Sequence, residues 1–232
     1  FHTQTAGSSL TAQQPYNNLV RIALEALAAV LGGTQSLHTN SLYEVLSLPS
    51  DHDLQLALRT QQIIAEETGA ANTIDPLAGS YFMEALTNEL EQQAWEYIHR
   101  IDRMGGMAVA IAKGFPQLEI ADAAYKFQRQ IDSCEKIMVG VNKYTSTEKV
   151  SMTPVEVLDT LEIEQKKRLS AVRRKRNSKA VQKCLKNLRK ACETGKNVMP
   201  HCIEAVKNLA TIQEICDIYR EVYGEYPDPG YY

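Results

Sequence analysis

Leu19, Ala23, Leu27 and Val30 recur at three- and four-residue intervals, which puts them on one face of a helix predicted over residues 11–33. Thr11 and Gln14 have capping-box spacing at its start, and Gly32-Gly33 supplies a stop. Short polar segments flank this helix at residues 2–5 and 34–39, each the length of a strand. Strand, helix, strand is a βαβ crossover and predicts parallel pairing. From Ser41 onward helical periodicity dominates. Leu54, Leu58, Gln61 and Ile64 mark one helix; Phe82, Leu86, Leu90, Tyr97, Ile98 and Ile101 mark a longer one, closed by Gly105-Gly106. Asp75-Pro76 and Gly79 form the turn between them. A further helix is predicted over 119–131 and a short strand or extended arm over 137–141. Three more helices follow, the last striped by Ile212, Ile215, Cys216, Tyr219 and Val222. The tail, 226–232, is rich in Pro and Tyr and reads as extended.

Two parallel strands do not make a stable sheet by themselves, because a parallel sheet needs several strands and cover on both faces. The expectation is that these two complete a sheet or barrel whose other strands lie outside the chain. The sequence opens on Phe1 rather than Met, which fits a chain that starts where something was removed or the coding information was cut. No internal repeat of 20–50 residues is found.

Composition narrows the class. The 232 residues suffice for one good-sized domain or two small ones. With 44% hydrophobic and 23% charged residues, they read as an ordinary globular chain. A net charge of -3 argues against a dedicated nucleic-acid binder. No apolar run approaches the roughly 20 residues that span a bilayer, and the polar start is unlike a signal peptide. Cys134, Cys184, Cys192, Cys202 and Cys216 are scattered without a CxxC pair. That pattern predicts free thiols, buried or half-buried on helices, and a reducing cytoplasm. His201 and Cys202 are adjacent but have no second ligand pair at useful spacing, so no metal site is predicted. Residues 166–183 are strongly basic: either a solvated helix face or a contact for phosphate or an acidic partner.

The chemistry sits in the strands. His2-Thr3-Gln4-Thr5-Ala6-Gly7 and Thr34-Gln35-Ser36-Leu37-His38-Thr39-Asn40 are far more polar than the Val, Ile and Leu runs of buried parallel strands. Polar residues at strand C-termini of a barrel face its ligand site. Ser41-Leu42-Tyr43-Glu44 has capping-box spacing too, so Glu44 alone reads as a helix cap, Asn40 as a turn residue and His38 as a packed histidine.

The strings FHTQTAG, LTAQQPYNN, ALAAVLGGTQSLHTNS, GSYFMEALTNELE, GGMAVAIAKGFPQ and IDSCEKIMVGVNKY resemble, in order and spacing, the large subunit of coenzyme-B12-dependent acyl-CoA mutases, the methylmalonyl-CoA mutase group above all. The resemblance covers essentially the whole chain. It implies an α/β fold: residues 1–50 as the last two βα units of a (β/α)8 TIM barrel, residues 51–232 as the helical region that follows. It implies an isomerase that interconverts methylmalonyl-CoA and succinyl-CoA by a radical 1,2-shift, with adenosylcobalamin as cofactor and acyl-CoA as substrate. By that match His2, Gln4 and Gln35 line the substrate cavity. Gly7 packs against the cofactor, while Asn40 and Glu44 hold the hydroxyls of its deoxyadenosyl ribose. Radical chemistry belongs to the cofactor, so neutral hydrogen-bonders such as Gln4 and Gln35 suit the protein's task of orienting and shielding.

Departures and absences qualify the match. Tyr43 and Val45 flank Glu44 where the family usually has Asp and Ala. Ser8 stands where single-chain enzymes often have Trp, which resembles the two-subunit branch and admits isobutyryl-, 2-hydroxyisobutyryl- or ethylmalonyl-CoA as the substrate. No DxHxxG motif supplies a cobalt-ligating His, and the earlier barrel strands that grip the substrate are missing. The implied partners are the missing N-terminal barrel portion, a separate B12-binding small subunit or domain, and a G-protein chaperone, with no nucleic acid and no membrane. The chain alone is expected to be inactive. A rival of another class is a non-catalytic fragment that only contacts other subunits.

Overall fold

The computed structural model describes residues 1–147, 159–227 and 230. In order the elements are β1 (His2–Gln4), α1 (Asn17–Leu31), β2 (Ser36–His38), α2 (Asp51–Glu67), α3 (Tyr81–Met104), α4 (Met107–Ala112), α5 (Phe115–Asp132), α6 (Asp159–Lys175), α7 (Ser178–Glu193), α8 (Met199–Lys207) and α9 (Ile212–Tyr223). Helix predominates, and the named strands among the described residues form one two-stranded parallel sheet. The chain divides into two compact units, Phe1–Val155 with Gly230–Tyr232, and Glu156–Pro229.

In the first unit the βαβ crossover forms as the pattern predicts. β1 and β2 pair in parallel with His2 opposite Ser36, Thr3 opposite Leu37 and Gln4 opposite His38. The Thr5 N–H extends the ladder to His38 O at 3.1 Å. The helix between them starts later than the Thr11 box implies. Gln14 is left-handed (φ 48°), and Pro15 has no N–H to give. The Thr11 hydroxyl donates instead to Gln13 O at 2.9 Å. α1 buries Asn18, Ile22 and Ala26, about a quarter-turn round from the predicted stripe, whose Leu19, Ala23, Leu27 and Val30 are only half-buried.

The capping box read at Ser41–Glu44 is overturned, because residues 42–46 form turns and no helix begins there. The box lies farther on. Ser50 Oγ accepts from Asp53 N at 3.3 Å, Asp53 Oδ2 accepts from Ser50 N at 2.9 Å, and α2 starts between them. α3 ends where Gly105 turns left-handed (φ 104°) and Gly106 N–H reaches back to Ile101 O at 3.1 Å. The six-residue α4 escaped the sequence reading, being too short to show a period. α5 begins at Phe115, earlier than predicted, because Gly114 (φ 74°) ends one helix and Pro116 opens the next. The strand or arm expected over 137–141 is a turn about Gly140, with one isolated bridge between Val139 and Lys143.

The second unit packs α7, α8 and α9. Val181, Leu185, Leu188 and Cys192 of α7 meet Ala205 of α8 and Ile215 and Ile218 of α9 in one buried cluster. Four helices occupy this region rather than three, since the basic stretch 166–183 contains the break between α6 and α7. α9 opens on a capping box of Thr211 and Glu214. All five cysteines are free, but Cys134 is exposed in a left-handed turn after α5, contrary to the expectation of buried helical thiols. Of the tail expected to be extended, Tyr226 and Pro227 are non-helical, and residues 228–229 and 231–232 lie outside the described residues.

Candidate functional site

Strand alternation sorts the polar residues of β1 and β2 onto two faces. His2 and Gln4 are exposed on one, and the register sets Ser36 and His38, also exposed, directly opposite them. On the other face Thr3 and Leu37 are half-buried, and Thr5 and Thr39 just beyond the strands are buried. One face of the ribbon is therefore wholly polar and open to water.

Asn40 braces that face at its C-terminal end. It is 1% exposed, and its side chain accepts from Gln4 Nε2 at 2.8 Å while donating to Thr5 O at 2.9 Å. Its backbone N–H donates to Thr5 Oγ1 at 2.9 Å. This triple tie sets the height of β1 against β2 and holds the Gln4 amide by its nitrogen, leaving Oε1 for another donor. His2 Nδ1 lies 2.6 Å from Ser36 Oγ. The hydroxyl fixes the imidazole plane and leaves Nε2 toward solvent.

Gly7 sits in the 3-10 turn Gly7–Ser9 that follows β1. A Cβ placed there would lie 3.4 Å from Asn40 Nδ2, in ordinary van der Waals contact with the brace. The turn is pinned from α1 by Glu25, whose carboxylate accepts from Ala6 N–H at 2.7 Å and Ser9 Oγ at 2.5 Å. Behind it Asn18, fully buried, donates to Thr11 O and Leu42 O, both at 2.9 Å, and accepts from Thr11 N at 3.1 Å. α2 closes the other side: Thr39 Oγ1 donates to Ala57 O at 2.7 Å, and Gln61 Nε2 to Leu37 O at 3.0 Å.

The structure thus brings together His2, Gln4, Gly7 and Asn40. Gln35 is set apart: it precedes β2, is out of phase with Ser36 and His38, and accepts from the Phe1 amine. Glu44 is exposed in the turn after Asn40, and its carboxylate bonds to no described residue. Next to it the Tyr43 phenol is held above its ordinary pKa by hydrogen bonding with Tyr16, with burial adding to the effect; the two rings stand edge to face at 6.5 Å. Sequence reasoning passed over Ser36, Thr5 and Glu25. The period-two rule applied to β2 would have found Ser36. Nothing local marks Glu25, which acts from a helix onto a distant turn.

The chemistry of this set is that of holding. Its groups are amides, hydroxyls and imidazoles, with no carboxylate on the open face. Such an array orients a polar ligand and shields it more readily than it moves protons. Open α/β sheets bind their ligands outside the carboxyl ends of their strands, and the braced end of this face is of that kind.

The chain belongs to the methylmalonyl-CoA mutase family, whose sequence pattern it matches over residues 1–225. It is 43% identical over 230 residues to a methylmalonyl-CoA mutase of Rhizobium meliloti, covering 97% of this chain and 32% of that protein. Identity to the methylmalonyl-CoA mutase large subunit of Porphyromonas gingivalis is 44% over 227 residues, again 97% and 32%. To the mitochondrial enzyme of Homo sapiens it is 42% over 228 residues, 97% and 30%. The chain therefore spans about a third of the length of these relatives. Among the described residues no helix is long and apolar enough to cross a membrane.

Proposed function

We propose that this chain is the C-terminal portion of the catalytic region of an adenosylcobalamin-dependent acyl-CoA mutase that interconverts methylmalonyl-CoA and succinyl-CoA. The observation that carries the reading is the open polar face of β1 and β2. A two-stranded parallel ribbon with bare edges needs neighbours, and a barrel supplies them. Residues 1–50 are then the last two βα units of a (β/α)8 barrel and residues 51–232 the helical region after it. The names of the relatives favour methylmalonyl-CoA over the isobutyryl, 2-hydroxyisobutyryl and ethylmalonyl substrates.

The residues present fit the cofactor's nucleoside end. Gly7 puts no side chain beside Asn40, and the groups at hand are neutral amides and hydroxyls with one carboxylate, that of Glu44, which bonds to no described residue. When bound, adenosylcobalamin supplies the radical that starts the 1,2-shift. His2 and Gln4 would orient the acyl thioester from the open face, Gln35 would line the cavity beside them, and Asn40 and Glu44 would hold the ribose hydroxyls, the Glu44 carboxylate as an acceptor only. No DxHxxG motif is present in the chain, so the cobalamin is held mainly by a domain or small subunit outside it. By itself the chain is inactive.

The test uses a complete protein carrying this segment, supplied with adenosylcobalamin and methylmalonyl-CoA, with succinyl-CoA followed by chromatography. The Glu44 carboxylate bonds to no described residue, so Glu44→Gln leaves the melting temperature unchanged. Turning a charge-assisted bond into a neutral one costs about 1–2 kcal/mol, and turnover falls roughly tenfold. Absence of succinyl-CoA from the unaltered protein overturns the proposed reaction; unchanged turnover in Glu44→Gln removes Glu44 from the site.

A further inference from the structure

The basic stretch that the mutase reading leaves unexplained resolves into a pattern on α7. From Lys166 to Lys190 the sequence holds twelve Lys and Arg and no Asp or Glu. Some of these cations have internal work: Lys166 pairs with Glu162, Arg176 with Glu214 and Arg189 with Glu221. Lys179, Lys183, Lys186 and Lys190 do not. All four are exposed, and no described residue pairs with them. At 100° per residue they fall within about 60° of arc and run about 16 Å along the helix. The opposite side of α7 is held in the buried cluster by Val181, Leu185, Leu188 and Cys192, so the stripe is fixed toward solvent.

Four like charges at i, i+4, i+7 and i+11 repel one another, a cost that a complementary surface removes. The stripe's makeup narrows that surface. No aromatic residue lies between these lysines to stack a base. The one arginine of α7, Arg189, whose planar fork would suit phosphate, is spent on the Glu221 carboxylate. The apolar side of α7 is already packed inside the protein, which leaves nothing to insert into lipid. What remains is a row of ammonium groups spaced as carboxylates are spaced at i, i+4 along a helix.

We infer that the solvent face of α7 is an electrostatic docking surface for an acidic segment of a partner protein. Lys179, Lys183, Lys186 and Lys190 are the contact residues, and the pairing acts through rim charges that set association rate and salt dependence.

The full chain is titrated with fluorescein-labelled poly-L-glutamate, read by anisotropy at low and at physiological salt. Two quadruple variants are compared, one with Lys179, Lys183, Lys186 and Lys190 changed to Glu, the other with the exposed Arg59, Arg103, Lys113 and Lys126 of the first unit changed to Glu. Net charge is altered equally. The α7 variant loses roughly tenfold or more in affinity and most of its salt dependence, while the control loses much less. Circular dichroism and a melt check folding; if the Glu variant does not fold, the quadruple Lys→Gln variant is held to the same criterion. Equal losses in both variants overturn the inference, as does an unaltered chain that does not bind poly-L-glutamate. Binding of duplex DNA or phosphatidylserine vesicles as tight as that of poly-L-glutamate overturns it in favour of a phosphate surface.

Discussion

Glu214→Gln separates charge from shape at the joint between α6, α7 and α9. In the wild type the Arg176 guanidinium grips the Glu214 carboxylate with two bonds, Nη1 to Oε2 at 2.7 Å and Nη2 to Oε1 at 2.5 Å. Nη1 also donates to Leu209 O at 2.9 Å. The Arg176 side chain is 9% exposed and that of Glu214 21%. The same carboxylate closes the α9 capping box, accepting from Thr211 N at 2.8 Å. Arg176, and then the Thr211 bonds, hold the Glu214 carboxyl down at about 2, from its ordinary 4.5. That displacement corresponds to about 3 kcal/mol of stability at neutral pH. Because the folded value is the depressed one, this stability is present in full above 4.5 and is lost as pH falls toward 2. Gln keeps the capping geometry but leaves Arg176 as a nearly buried cation without its counter-charge. Urea unfolding of both proteins, followed by circular dichroism at steps from pH 7 to pH 2.5, reads the difference. The gap is about 3 kcal/mol at pH 7 and narrows steadily below 4.5, since only the wild type loses the pair. A gap that stays constant across that window refutes the assignment of the stability to the ion pair.

Two further substitutions test the packing that supports the site and the second unit. Asn18→Leu keeps the branched shape of a fully buried side chain but strands Thr11 O, Thr11 N and Leu42 O; unfolding free energy falls by about 3 kcal/mol, with less than 1 kcal/mol refuting the hub role. Leu188→Ala opens a cavity at a position with 0% exposure in the α7, α8 and α9 cluster and costs roughly 3 kcal/mol by chemical denaturation, whereas a change under 1 kcal/mol means that the cluster is loosely packed.

How much of this was legible in the sequence depends on the range over which the determining interactions act. The βαβ crossover was, because apolar period and turn residues are local signals: Leu19 through Val30 fixed the helix and Gly32-Gly33 its end. The polar strands stood out as a candidate site for the same reason, since hydrogen-bonding side chains in a parallel strand contradict what burial demands. The helix starts were misplaced where two boxes of equal spacing competed. Thr11 with Gln14 and Ser41 with Glu44 both read as caps, yet neither forms one and the box that opens α2 is Ser50 with Asp53, because Gln14 and Pro15 turn the chain away from helix and residues 42–46 close on themselves. That error had a functional cost. The capping reading was the main structural rival for Glu44, and its removal leaves an exposed carboxylate, in the turn after the braced Asn40, that bonds to no described residue. The tie from Asn40 to Gln4 spans 36 positions and that from Glu25 to Ala6 spans 19, and neither follows any local period. Such contacts exist only once α1 has carried the chain back beside its starting strand, so the shape of the site is set by the crossover rather than by the motif that marks it.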